Sequence, residues 1–190
     1  MQSAAHWLLL LLALPLGCAD AGSEGDPRDV QVRVGTVGFD ANHAPVVILE
    51  EQGGPRMLPI WIGAAEAGSI ASELHRRPPP RPNFHDFAKR VIQSVNAEVV
   101  RVVVTEIREG TYYATLSLRA RGEVIEIDAR PSDAIAMALR MNAPILVRET
   151  LFEEADEALP SGGDGEAIRW EPAPSAQPTR SPHASGARKL

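Results

Sequence analysis

The stretch that most constrains the fold of this chain runs from Ile127 to Arg140 and reads IDARPSDAIAMALR. A short apolar strand ends in ionisable side chains, and a helix begins directly after them with a proline and a serine. Proline is tolerated in a first helical turn because its missing N–H would have no intrahelical partner there. Ser132 and Asp133 can satisfy or electrostatically favour the exposed N–H groups of that turn. The stretch predicts a strand-to-helix junction that carries Asp128, Arg130 and Asp133; a capped helix without chemical function is the alternative interpretation.

Alternating and β-branched apolar residues predict the remaining elements. Expected strands cover residues 30–37, 45–49, 57–62, 99–107, 112–118, 124–127 and 145–147, and expected helices cover 63–75, 84–95, 132–141 and 151–158. A Gly-Gly turn joins the second and third strands, which predicts an antiparallel hairpin, and two later turns predict a three-strand meander. The expected fold class is α+β, with a mixed or antiparallel sheet of about six to seven strands and three to four helices in a single domain.

The composition sets the boundaries of that domain. With 190 residues, the chain has room for one domain and tails. We expect a polar tether at residues 19–29, the domain at 30–158, and a disordered tail at 159–190, because the tail has too little apolar surface to offset its ordering entropy. The net charge of −6 argues against coating nucleic acid through bulk positive charge, but it does not exclude a local basic site.

The N-terminal segment is typical of an export signal. The apolar run Trp7–Leu16 is too short to span a bilayer but suits a signal-peptide core. Leu14–Cys18 resembles the lipobox of bacterial lipoproteins, although Pro15 stands where leucine is usual and no Lys or Arg precedes the run. We expect residues 1–18 to be a lipoprotein-like signal peptide, the protein to reach the cell envelope or periplasm, and a lipid on Cys18 to anchor it to the membrane. A plain secretory signal is the alternative.

Cys18 is also the only cysteine of the chain, which excludes an intramolecular disulfide and a cysteine-based zinc site. Other signatures are absent from the sequence: a P-loop, a Gly-rich dinucleotide fingerprint, His-Glu-x-x-His and Gly-x-Ser-x-Gly. Nucleotide hydrolysis at a Walker site, zinc proteolysis and α/β-hydrolase chemistry therefore lose support.

Three clusters could carry chemistry. A proline-stiffened basic loop with the helix after it can hold phosphates, or it is a solvated connection; its residues are Arg76, Arg77, Arg81, Lys89 and Arg90. His85-Asp86 at a helix start offers a general base or metal ligand, or Asp86 is only a cap and His85 a packed side chain. Asp128, Asp133 and Glu66 offer oxygen ligands for Mg²⁺ or Mn²⁺, or Asp128 pairs with Arg130 in a structural salt bridge.

Together these segments resemble the bifunctional nuclease family, a bacterial and plant domain family associated with cleavage of DNA and RNA. The matching motifs follow the family's order across residues 30–155: LPIWIG at 58–63 with Glu66-Ala67, Arg81-Pro82 with His85-Asp86, Tyr112-Tyr113-Ala114, and IDARPSDAIA at 127–136. The chain departs from typical members in its export signal and in Asn83-Phe84, which stands where a small polar residue is expected before the histidine.

The resemblance implies a homodimeric α+β domain that hydrolyses phosphodiester bonds of DNA and RNA with little sequence specificity. The catalytic positions that it carries over are His85, Asp86, Asp128, Arg130 and Asp133. In the mechanism that we predict from it, Asp128, Asp133 and Glu66 hold Mg²⁺ or Mn²⁺, and His85, oriented by Asp86, activates water. Substrate phosphates bind to Arg130 together with the loop residues Arg76, Arg77 and Arg81. The competing prediction is a non-catalytic envelope lipoprotein that binds a protein partner or a small anion.

Overall fold

A computed structural model describes residue 26, residues 28–158 and residues 171–172. The strands are β1 Asp29–Phe39, β2 Pro45–Glu51, β3 Met57–Trp61, β4 Glu98–Arg108, β5 Thr111–Ala120, β6 Glu123–Ala129, β7 Ile145–Arg148 and β8 Glu171–Pro172. The helices are α1 Ala64–Leu74, α2 Phe84–Ser94, α3 Pro131–Met141 and α4 Thr150–Ala158. The predicted α+β fold class is confirmed, with a mixed sheet of β1 to β7 and four helices.

The sheet has the strand order β3-β2-β1-β7-β4-β5-β6. The predicted β2–β3 hairpin and the β4–β5–β6 meander are both antiparallel. Strand β7 lies between the two halves of the sheet, antiparallel to β1 and parallel to β4. Because β7 directly follows α3, this arrangement places α3 across the strands of the meander.

A single core packs between the sheet and the helices. Val102 and Val104 of β4 lie opposite Leu116 and Ala114 of β5, and all four side chains are buried. Ile135 of α3 is fully buried in the same cluster. Because neighbouring residues of a strand point to opposite faces, this core also fixes which β6 side chains face the helices.

Helix α3 begins as predicted with Pro131 in its first turn. Its N-cap is Arg130, in an extended conformation and without a side-chain cap hydrogen bond, so the predicted capping by Ser132 is not found. Asp133 lies in the first turn, where the negative charge of a carboxylate interacts favourably with the helix dipole. The helix ends at Asn142, whose φ of 54° is a left-handed conformation that asparagine tolerates.

Short pieces of the predicted tether and of the predicted tail fall within the described residues. Strand β1 begins at Asp29, and Asp26 accepts a 3.3 Å hydrogen bond from Arg148, so the end of the expected tether is held against β7. Glu171 and Pro172, inside the tail predicted to be disordered, pair with β1. The predicted signal peptide, Cys18 and the rest of the predicted tether and tail lie outside the described residues. Among the described residues, each helix is too short or too polar to span a bilayer.

Candidate active site

Three helices bring polar side chains together at the start of α3. Glu66 comes from α1, His85 from α2, and Arg130 and Asp133 from the β6–α3 junction. His85 Nε2 lies 3.1 Å from Asp133 Oδ1, which brings together residues that are 48 positions apart in the chain. The predicted convergence of the imidazole with this junction is therefore present.

Arg130 joins the two carboxylates of this cluster. Its Nε and Nη2 donate to Asp133 at 2.7 and 3.1 Å, and Nη2 also donates to Glu66 Oε1 at 2.8 Å. The hydrogen bonds and charge of Asp133, and then those of Glu66, raise the pKa of Arg130 above its usual value. The guanidinium side chain is still 67 % exposed, so it can meet an anion from solution. Its carboxylate partners are Glu66 and Asp133, so the alternative Asp128–Arg130 salt bridge is not found.

The hydrogen bonds around Ser69 determine which ring nitrogen of His85 carries hydrogen. Asn83 Oδ1 accepts a backbone N–H of α2, so its amide nitrogen donates to Ser69 Oγ at 3.1 Å. Arg140 Nη2 donates to the same oxygen at 2.9 Å, so both acceptor positions of the hydroxyl are used. The Ser69 hydroxyl therefore donates to His85 Nδ1, 2.9 Å away. His85 Nε2 consequently carries the ring hydrogen and donates it to Asp133.

A chain of hydrogen bonds thus runs from Ser69 through His85 to Asp133. The order of residue types is that of a Ser-His-Asp triad, but Ser69 and His85 are each only 5 % exposed. Asp133, whose side chain is 28 % exposed, is the end that faces solvent. Since both nitrogens of His85 are engaged within the protein, the geometry favours a positioning role for His85 over the predicted activation of water.

Asp86 does not orient His85 as predicted. It forms the predicted capping box with Asn83, and its Oδ1 accepts a 2.8 Å hydrogen bond from Arg140 Nε. Burial by itself raises the pKa of Asp86, but the hydrogen bonds from Arg140 and the Asn83 N–H outweigh that effect and lower it. Asp86 therefore supports the site through Arg140. Ser69, and not Asp86, is the hydrogen-bond partner of the imidazole Nδ1.

Asp128 lies on a different face of the sheet. It pairs with Thr115, whereas the next residue, Ala129, pairs with the buried Ala114 of the core. The pKa of Arg108 is raised mainly by the hydrogen bond that it donates to Glu106, and the charge of Asp128 adds to that effect. The structure thus places Asp128 beside Arg108 and does not bring it to Asp133, although the two residues are close in sequence.

The basic loop is exposed and uncompensated. Within the described ranges, no ion pair involves Arg76, Arg77 or Arg81. The loop ends at Asn83, the N-cap of α2, and therefore leads directly to His85. Three exposed guanidinium groups without carboxylate partners are a suitable arrangement for holding phosphates.

A cleft of about 440 Å³ opens on the other side of Arg130. Trp61, Tyr112 and Ser132 line it with Arg130, and the Trp61 indole is fixed by a 3.0 Å hydrogen bond to Asp40. Burial, and then the charge of Glu154, raises the pKa of Tyr112, so its phenol remains a hydrogen-bond donor. A wider surface depression at the β2–β3 turn shares no lining residue with this cluster. The cleft is of the size that binds small ligands.

The predicted metal ligands do not form a prepared cation site. In the described part of the chain, no group of three or more His, Cys, Asp or Glu side chains is placed to hold a metal. The Arg130 guanidinium lies between Glu66 and Asp133, and Asp128 belongs to another face. Mg²⁺ and Mn²⁺ prefer several oxygen ligands at once. The reaction proposed below therefore uses no metal step, and metal dependence stays a prediction.

Sequence reasoning missed Ser69 and Arg140. Arg140 is 2 % exposed and donates to Ser69 of α1, Asp86 of α2 and the Ala136 carbonyl of its own helix. One signal was available, because Arg140 follows Asp133 by seven positions and so lies on the same side of a helix rich in alanine. Ser69 follows Glu66 by three positions on α1, but serine at such a position carries no specific signal.

Comparison with known proteins agrees with the resemblance. A family model described as the bifunctional nuclease domain matches residues 47–160. An uncharacterized protein of Mycobacterium tuberculosis is 38% identical over 143 residues, which is 75% of this chain and 83% of that protein. Bifunctional nuclease 1 of Oryza sativa subsp. japonica is 29% identical over 131 residues, 67% of this chain and 38% of that protein. Bifunctional nuclease 2 of Arabidopsis thaliana is 29% identical over 126 residues, 64% of this chain and 38% of that protein.

The family match includes all of α1, α2 and α3 and therefore every residue of the cluster from Glu66 to Arg140. It covers more than half of the 190-residue chain. The chain belongs to the bifunctional nuclease domain family.

Proposed function

We propose that this protein is a nuclease that hydrolyses phosphodiester bonds of DNA and RNA with little sequence specificity. Membership in the bifunctional nuclease domain family supports nuclease activity. The observation that carries the proposal is the Arg130–Asp133 pair, an exposed cation and an accessible carboxylate held together beside a cleft. Such a pair can bind an anionic ester and accept a proton from water at the same place.

Arg130 and the basic loop would bind the substrate through its backbone. Arginine presents a planar set of N–H donors that matches phosphate oxygens, and phosphate contacts carry no direct base information. The loop residues Arg76, Arg77 and Arg81 extend positive charge along the chain leading to α2. Recognition of phosphate rather than base edges explains why such a site would accept both DNA and RNA.

Asp133 would act on the attacking water. The water oxygen attacks phosphorus, its proton passes to the Asp133 carboxylate, the P–O ester bond breaks, and the leaving oxygen takes a proton from solvent. His85 would hold Asp133 Oδ1 in position, because Ser69 fixes its Nε2–H toward that oxygen. Arg130 would offset the negative charge that develops on the phosphoryl oxygens.

The first experiment compares cleavage by the unaltered protein and by an Arg130→Gln variant. Single-stranded DNA, duplex DNA and RNA are incubated with each protein, with Mg²⁺ or Mn²⁺ and with EDTA. We expect Arg130→Gln to lower the rate about tenfold, less than for an enclosed donor, because water can replace part of an exposed charge. Glu153→Gln, an exposed change on α4 outside the cluster, is the matched control.

The outcomes of this assay separate the two predicted functions. Cleavage that is equal in both preparations would indicate a contaminating nuclease or a different site. Absence of cleavage on every substrate, with or without divalent ions, would favour the non-catalytic lipoprotein that binds a protein partner or a small anion. Loss of cleavage in EDTA would support the predicted metal requirement and would show that ligands must rearrange around Arg130.

We also propose that the protein is exported and anchored to the membrane by a lipid on Cys18. The apolar run that precedes Cys18 and its lipobox-like sequence support this proposal. We expect the full-length protein to fractionate with membranes and Cys18→Ser to move it to the soluble fraction, since acyl chains supply the anchoring energy. Membrane association that survives Cys18→Ser would contradict lipid anchoring at this residue.

A further inference from the structure

Two phenylalanines stand exposed at the start of α2, beside the proposed active site. Phe84 and Phe87 have 72 % and 59 % of their surface exposed, which is unusual for large apolar side chains. They are three positions apart and so lie on neighbouring turns of one helix face. The Phe84 ring meets the His85 ring edge-on, with 5.7 Å between centroids. Contacts therefore run from the cleft through Arg130, Asp133 and His85 to Phe84.

Basic residues predominate in the chain on both sides of the aromatic pair. Between residues 76 and 95 the chain carries five basic side chains and one acidic side chain. The acidic one, Asp86, is already paired with the buried Arg140. The local surface is thus strongly cationic although the whole chain has a net charge of −6. Exposed aromatic rings flanked by cations are the arrangement by which proteins hold single-stranded nucleic acid, with bases on the rings and phosphates on the cations.

Resting on the proposed function, we propose that Phe84 and Phe87 form a stacking platform that makes single-stranded nucleic acid the preferred substrate. Bases in a duplex are stacked on each other and present no free face to a phenylalanine ring. Unpaired bases can stack on Phe84 and Phe87 while their phosphates follow the basic loop toward Arg130. Stacking is tolerant of base identity, which fits a site that reads neither sequence nor sugar.

A second copy of this chain is the competing occupant of the same face. Val91 and Val95, 44 % and 63 % exposed, continue the apolar stripe along α2. A dimer through this stripe would bring two strongly basic loops together, and like charges oppose such an approach. The charge around the stripe therefore favours a polyanion. The homodimer implied by the family resemblance stays a prediction that the experiment below also addresses.

The test measures binding without cleavage. To suppress cleavage, every protein carries Asp133→Asn and the buffer contains EDTA. Fluorescence anisotropy then compares binding of a labelled oligothymidylate of about 15 nucleotides, a duplex of equal length and an abasic strand of equal charge. We expect the oligothymidylate to bind more tightly than either of the others. Phe84→Ala with Phe87→Ala should weaken oligothymidylate binding about tenfold or more and leave duplex and abasic binding nearly unchanged. Val91→Ala with Val95→Ala is the matched control on the same helix face and should bind normally.

Several results would overturn the platform. These are equal binding of thymidylate and abasic strands, normal binding by the phenylalanine variant, and no binding of any oligonucleotide. Size-exclusion chromatography supplies a further one. If the unaltered protein is an oligomer and both the phenylalanine and the valine variants are monomers, a second copy of the chain covers the stripe. If the unaltered protein cleaves nucleic acid and the phenylalanine variant binds it normally, the platform is contradicted and the nuclease proposal stands. If binding depends on the two phenylalanines but the unaltered protein cleaves no substrate, the platform stands and the nuclease proposal is contradicted.

Discussion

Replacing Asp133 by asparagine should lower the rate of phosphodiester cleavage by about 100- to 10,000-fold, the usual contribution of a general base. The amide has nearly the size of the carboxylate, but it does not accept a proton from water. It also leaves Arg130 with Glu66 as its remaining carboxylate partner in the cluster. The measurement is kcat/KM on a labelled single strand, compared with the unaltered protein.

Two controls make this result specific to the Asp133 carboxylate. Glu153→Gln removes the same charge from an exposed position of α4 and should leave the rate unchanged. Thermal unfolding followed by circular dichroism should show that Asp133→Asn remains folded, because the Asp133 side chain is partly exposed. A folded Asp133→Asn protein with normal kcat/KM would remove Asp133 from the reaction and end the proposed mechanism.

Replacing Asp86 by alanine should destabilise the fold by about 3–5 kcal/mol, because it leaves a buried cation without its partner. The Arg140 side chain is only 1 % exposed and donates to Asp86 at 2.8 Å. The substitution also removes one half of the capping box with Asn83. Urea unfolding provides the measurement.

The double variant Asp86→Ala with Arg140→Met should recover part of the lost stability, since it removes the uncompensated charge as well. Strictly additive losses would show that the pair is not coupled.

The pH dependence of stability follows from the same pair. The pKa of Asp86 is lowered in the folded protein, because the hydrogen bonds that it accepts outweigh the opposing effect of burial. A carboxyl with a depressed folded pKa contributes stability above its unfolded pKa of about 4 and loses it as the pH falls through the folded value. The free energy of unfolding should therefore fall more steeply below about pH 4 in the unaltered protein than in Asp86→Ala. Equal slopes would exclude a contribution from Asp86.

Local patterns predicted the elements of this fold because their causes are local. The capping box of α2 is visible as Asn83 followed by Asp86, and the start of α3 as Pro131 after an apolar strand. Turn residues located the β2–β3 hairpin and the meander. The position of β7 between β1 and β4 has no such local cause, since it depends on pairing with two strands that are distant in the sequence.

The candidate site was predicted in part, for the same physical reason. Asp133 and Arg130 share one turn of backbone, so their proximity could be read from spacing. Asp128 is only five positions from Asp133, but the pleat of β6 directs its side chain away from the core side to which Ala129 belongs. The partner of His85 is Ser69 rather than its neighbour Asp86, because adjacent helical residues point in different directions. Such pairings depend on how three helices pack, which no single segment encodes.

Arg140 fixes the relative positions of the three helices that carry the cluster. One guanidinium is hydrogen-bonded to α1, to α2 and to the α3 backbone, so relative sliding of any two of these helices would break a charged hydrogen bond inside the protein. The imidazole and carboxylate above it are thereby pre-organised before a ligand arrives, and little reorganisation is needed when one does. The positions of the partly exposed side chains of the cluster therefore depend on a buried residue, Arg140.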